Sequence, residues 1–179
     1  MTLSGYDGTA LSGSNEAQFT FRSTTAGTGT TSVVKSSANL TITISSGSTL
    51  GAVSGVPFRL WWGIVNDGGT LRLAVLNGSI TKNTYPIADN ILISSVAEGG
   101  VGGADSAGVW YTDTAVTTKA MRILGYTDHS LTTAGTWDEA PDNIQITNVC
   151  CQNTSVSAVA TTSGTEHDIT DIPSWAKLI

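Results

Sequence analysis

Between Val56 and Gly78 the chain reads VPFRLWWGIVNDGGTLRLAVLNG, its longest apolar run, with a turn signal at the midpoint. Phe58, Leu60, Trp62 and Ile64 alternate with Arg59, Trp61, Gly63 and Val65. Beyond the turn, Leu71, Leu73 and Val75 alternate with Arg72, Ala74 and Leu76. Two-residue periodicity sends successive side chains to opposite faces of an extended strand. Asp67-Gly68-Gly69 offers the positive-φ positions that a tight hairpin or a bulged turn requires. The run predicts two long antiparallel strands at the centre of an all-β domain. Adjacent Trp61 and Trp62 must then point to opposite sides. Both faces are therefore expected to be covered, as in a sandwich or at a subunit interface.

The remaining segments fit that frame. QFTFR (18–22), TSVVKS (31–36), NILISSV (90–96), VWYT (109–112), KAMRILGYT (119–127) and NIQITNV (143–149) read as strands, separated by turn residues. NLTITISS (39–46) sets Leu40, Ile42 and Ile44 against Thr41 and Thr43, the cleanest half-buried strand pattern of the chain. Pro86 would break a central strand, so 80–89 reads as a connection. Residues 98–108 (EGGVGGADSAG) read as a flexible loop. No segment carries helical periodicity. About nine short strands with turns between them predict an antiparallel, jelly-roll-like β-sandwich. Residues 18–151 are its expected span. The Gly/Ser/Thr-rich segment 1–17 reads as an N-terminal arm that buries too little to order alone. Residues 152–179 read as a linker and the incomplete start of a second β element.

Composition narrows the function classes. Charged residues make up 12% of the 179-residue chain, against about 25% in an average globular protein. Thr, Ser, Gly and Asn fill the difference and give a neutral polar surface. The net charge of −6 and the lack of any Lys/Arg cluster argue against a nucleic-acid partner, and none is expected. No apolar run is long enough to enter a membrane. The N-terminus, MTLSGYDGTA, has neither a basic nor an apolar leader segment, so synthesis in a cytoplasm without secretion is expected. Cys150 and Cys151 are adjacent and lack metal-ligand spacing, which reads as two reduced thiols at a strand end.

Catalytic chemistry finds little footing. His129 and His167 lie in polar surroundings without ligand spacing, so structural or surface roles are expected. The acids are dispersed, and Asp138-Glu139 beside Trp137 is the nearest approach to the carboxylate pair of a glycosidase. The glycine run at 99–103 precedes no helix and is not a phosphate loop. No catalytic residue, cofactor or metal is expected. Aromatic residues near loops are the binding candidates: Tyr85, Trp110, Tyr111, Tyr126 and Trp137, as glycan or subunit contacts. Trp137 alternatively reads as an anchor of its loop in the core.

The order FTFRSTTAGTGT, ANLTITISSGSTLGAV and WWGIVNDGGTLRLAVLNG resembles a family of phage tail-fibre and head-fibre proteins. The later run supports the likeness: Gly125-Tyr126 ends a strand, Thr132 to Trp137 (TTAGTW) forms the loop, Ala140-Pro141 the turn and Ile144 to Ile146 the next strand. The tail, SGTEHDITDIPSWAK, is similar to the opening of a second β domain. The resemblance spans Phe19 to Lys177 and brings no catalytic residue. It implies a virion surface protein, commonly a homotrimer, that meets other virion proteins on a tail or capsid and reaches toward a host receptor such as a surface glycan. A carbohydrate-binding module using the loop aromatics is the alternative expectation, and a polysaccharide depolymerase a more distant one.

Overall fold

The computed structural model describes residues 1–5, 8–22, 31–79 and 90–146. These belong to one unit, Met1–Asn148. The expectations placed on Tyr85, Cys150, Cys151, His167 and the C-terminal extension lie outside the described residues.

The fold is all-β. The central run forms β5 (Phe58–Asp67) and β6 (Thr70–Ser79), paired antiparallel so that Asp67 faces Thr70. The intervening Gly68 and Gly69 have φ of 63° and 98°. Two consecutive positive-φ residues make the hairpin turn whose twist matches that of the flanking strands. Asn66 Oδ1 closes the turn by accepting the Gly69 amide at 2.8 Å. β10 (Lys119–His129) pairs antiparallel with the other side of β5. β7 (Asn90–Ile93) and β11 (Asn143–Ile146) share the far side of β10, one along each half. β9 (Trp110–Thr112) pairs with β6, and β8 (Val96–Ala97) with β9.

The β8–β9 pair is parallel, which corrects the expectation of a purely antiparallel fold. The single strand expected over 90–96 is also two strands. Ser94 and Ser95 separate β7 from β8, and these pair at opposite ends of the sheet. In a flat sheet of this order the two would stand five spacings apart, roughly 24 Å. Three Cα–Cα steps reach only about 11 Å. The sheet must therefore curl, which encloses one of its faces.

That inner face carries Val65, Ala74, Ile93, Val116, Met121 and Ile123 as one buried cluster. The outer face carries Phe58, Leu60, Trp62, Leu73, Val75 and Tyr111, packed with Ile42, Leu50, Ala104 and Leu131. Two small sheets help cover it: β1 (Thr2–Leu3) with β4 (Leu40–Thr41), and β2 (Ala17–Arg22) with β3 (Thr31–Ser36). Phe21 of β2 is fully buried against Ile64, Leu71 and Ala120. The covering layer is thus a pair of two-stranded sheets, giving a sandwich-like rather than an evenly two-sheeted architecture. Trp61 and Trp62 do face opposite sides, the first inward with the Met121 cluster and the second outward.

Three local expectations are revised. The first residues of the expected arm dock on their own subunit: β1 pairs with β4, and the Met1 ammonium donates to the Ile42 carbonyl at 2.8 Å. The 39–46 segment keeps its predicted alternation of burial, but only Leu40–Thr41 joins a ladder. The loop expected to be flexible at 98–108 is instead clamped. Glu98 is buried and accepts from the Ser45 amide, the Ser45 hydroxyl and the Ser48 hydroxyl at 2.8 to 3.0 Å. The Leu50 amide donates to the Ala104 carbonyl at 2.7 Å, and the Asp105 carboxylate accepts from the Thr49 and Gly102 amides. Those amides hold the Asp105 carboxyl below its usual range.

Gly125 marks a bulge in β10, where the register to β5 shifts. A Cβ there would collide with the Gln145 carbonyl oxygen of β11. Gly125→Ala is expected to lower unfolding free energy by about 1–3 kcal/mol, as when atoms are forced into filled space. Hydrogen exchange should accelerate first in β11. Unchanged protection of β11 would refute the account.

Candidate functional site

Of the nominated aromatics, the structure places Trp110 and Tyr126 on the inner face, and Tyr111 and Trp137 on the other. Tyr111 is buried in the outer core, where its hydroxyl accepts the Ser106 amide at 3.2 Å. Trp137 fixes its loop: the indole N–H donates to the Ser48 carbonyl at 2.8 Å, and the ring meets Phe58 and His129 edge-on at 6.0 and 5.9 Å. This is the loop-anchor reading of Trp137.

His129 is buried in that aromatic box, stacked on Phe58 at 5.5 Å. Its Nε2 lies 2.9 Å from Thr127 Oγ1, which also accepts the Trp62 indole N–H at 2.8 Å. The Thr127 hydroxyl has one proton and two lone pairs, so it donates to Nε2 or accepts from it according to the tautomer. Nδ1 is buried and has no hydrogen-bond partner. Burial lowers the His129 pKa below 6.5, against the opposing pull of Asp142 and Asp128. The neutral ring is then the native form, and protonation works against folding. The contribution is complete above the unfolded-state value of 6.5 and is lost as pH falls from there toward the lowered folded value. We expect unfolding free energy to drop across that window by at most about 1.4 kcal/mol per pH unit. His129→Gln should flatten this slope in pH-dependent urea titrations. An unaltered slope would assign the effect to carboxylates instead.

The acids beside Trp137 are exposed. Glu139 accepts the Thr132 amide at 2.9 Å, and this bond holds its carboxyl below the usual range. That role closes the loop on itself.

The inner face holds a constellation that sequence reading did not assemble. The pairing registers run Trp110 to Leu76, Leu76 to Trp61, Trp61 to Tyr126 and Tyr126 to Gln145. These side chains form one row across β9, β6, β5, β10 and β11. Trp61 and Tyr126 meet edge to face at 5.3 Å. The row sits at one end of the curled sheet, where Trp61 and Trp110 cap the Met121 cluster. Trp61 lies so close to Gly78 that a Cβ there would stand 2.7 Å from its Cδ1. Its indole N–H is buried without a hydrogen-bond partner.

One step along the strands, Arg59 and Asp128 face each other across β5 and β10. Arg59 donates from Nε and a terminal nitrogen to the two carboxylate oxygens at 2.7 and 3.0 Å. Asn143 donates to the same carboxylate at 3.3 Å. The guanidinium carbon also stands 3.7 Å from the centre of the Tyr126 ring. The hydrogen bond to Asp128 raises the Arg59 pKa, so the cation is permanent. Trp110, Trp61, Tyr126 and Gln145 are half-buried, and Asn143 is exposed. The opposite end of the sheet is charged: Asp67 accepts from Arg72 and Lys119 at 3.0 and 3.1 Å, and Arg72 reaches Asp113 at 2.9 Å.

Arg59, Trp61 and Gln145 carried no mark in the sequence that would have grouped them with Trp110 and Tyr126. Only the pairing register does so. Comparison with protein-family models, with curated proteins and with solved structures gives no match for the chain.

Proposed function

We propose that the protein is a non-enzymatic bacteriophage structural protein, a fibre or decoration β-domain on the tail or capsid surface. In this reading it is made in the host cytoplasm and assembles as a homo-oligomer, a trimer by preference, beside other virion proteins. The observation that carries the reading is the distribution of exposed aliphatic side chains. Leu92 on β7, Val96 on β8, and Ile144 and Ile146 on β11 are about half exposed or more. All four lie on border strands of the large sheet and on its outer-face side. Border strands with apolar side chains favour association with further protein. The motif order shared with phage fibre proteins adds the virion context. A sparsely charged polar surface suits a particle exposed to changing salt. The jelly-roll order of such fibres is the finer form of the same proposal.

Light scattering of the isolated chain, together with a gold-labelled antibody against it on purified virions, tests the reading. Three copies per particle and label at a fixed virion location are expected. A monomer that never labels virions would overturn it.

A further inference from the structure

We propose that the inner-face row of Trp110, Trp61 and Tyr126 binds the pyranose rings of a neutral saccharide. A pyranose presents an apolar C–H face and a rim of hydroxyl groups. Its natural complement is a partly buried aromatic ring flanked by planar polar groups, and the mouths of curled sheets are common places for such sites. The row supplies Trp110 and Trp61 two strand spacings apart, about 10 Å, with Tyr126 beside them carrying the Arg59 guanidinium over its ring. That length admits more than one sugar ring. At one end stands the Gln145 amide, and one step along the strands stand Asn143 and the Arg59–Asp128 pair.

Charge selects the saccharide class. The Arg59 cation is matched by a two-point contact with Asp128, so the site offers no unpaired cation to a uronate or sialate. The chain as a whole carries −6, which opposes an anionic glycan further.

Side-chain chemistry also favours a sugar over a second copy of this chain. The exposed aliphatics of the large sheet, Leu92, Val96, Ile144 and Ile146, are on the outer-face side, and none belongs to this row. An interface between copies has an apolar core depleted of charge. Here the aromatics adjoin an ion pair and two amides.

The inference stands apart from the virion reading. It is measured on the isolated chain, so a negative result leaves virion labelling intact, and unlabelled virions leave a positive result intact. An array of neutral gluco-, manno- and galacto-oligosaccharides, printed beside uronate- and sialate-bearing ones, identifies the probe. Titration of that probe then follows intrinsic tryptophan fluorescence. Binding to neutral members is expected, with Trp110→Ala weakening affinity about tenfold or more. Gln145→Ala should weaken it as well, while the off-site Val33→Ser variant on β3 retains it. The melting temperature of each variant shows that the fold survives. Three results overturn the proposal: no neutral ligand on the array, equal binding of acidic glycans, or a Trp110→Ala variant whose subunit number changes while saccharide affinity does not.

Discussion

Phe58→Ala is expected to lower unfolding free energy by about 3–5 kcal/mol, the range for truncating a buried phenylalanine. The ring is almost fully buried in the outer core and forms one wall of the box holding His129 and Trp137. Its loss leaves a void between the start of β5, the end of β10 and the loop anchored by Trp137. Denaturant unfolding followed by fluorescence measures the loss. Two secondary signs should accompany it. The near-ultraviolet dichroism from Trp137 should weaken, and the His129 pKa should return toward 6.5 as water reaches the ring. A loss below about 1 kcal/mol would mean that the surroundings collapse into the void, which would contradict the packing described.

Arg59→Met is expected to be comparably damaging, at the low end of about 3–5 kcal/mol. The Asp128 side chain is 7% exposed and that of Arg59 17%, so removing the cation takes the two-point ionic partner from a buried carboxylate. Tyr126 also loses the guanidinium over its ring, worth about 0.5–2 kcal/mol. The double variant Arg59→Met/Asp128→Leu should recover much of the loss, because replacing both charges removes the uncompensated one. A double variant as unstable as the sum of the single ones would show that the two side chains act independently.

What the sequence revealed follows from what alternation can encode. Period-2 patterning reports which side chains are buried, and it placed the β5–β6 hairpin, its glycine turn and the opposed Trp61 and Trp62 correctly. It does not report hydrogen-bond partners. Leu40, Ile42 and Ile44 therefore show the pattern of a strand, though most of that segment packs outside any ladder. Ser94-Ser95 contains neither Gly nor Pro, so the change of partners from β10 to β9 left no turn signal in NILISSV. Glycine content misled at 98–108. The positive φ of Gly100, Gly102 and Gly108 lets the chain fold back onto residues 45–51, where the Glu98 and Asp105 carboxylates hold it. A lone acid in a glycine-rich run does not disclose a carboxylate clamped by three donors.

The candidate site was partly legible for the same reason. Trp110 and Tyr126 drew notice as aromatics near loops. Their separation from Tyr111 and Trp137 depends on strand parity, and their union with Trp61 and Gln145 on register. Register is a property of paired strands and is absent from any single segment.

The two-residue link between β7 and β8 constrains how the chain reaches this state. β7 needs β10, and β8 needs β9, and all four must already be arranged around the β5–β6 hairpin before the ends can meet. Joining them is a non-local step with a high loop-closure cost, which favours slow folding. A change that stiffens the Ser94-Ser95 link is expected to slow that step, and slow joining of sheet borders lengthens their exposure to other chains.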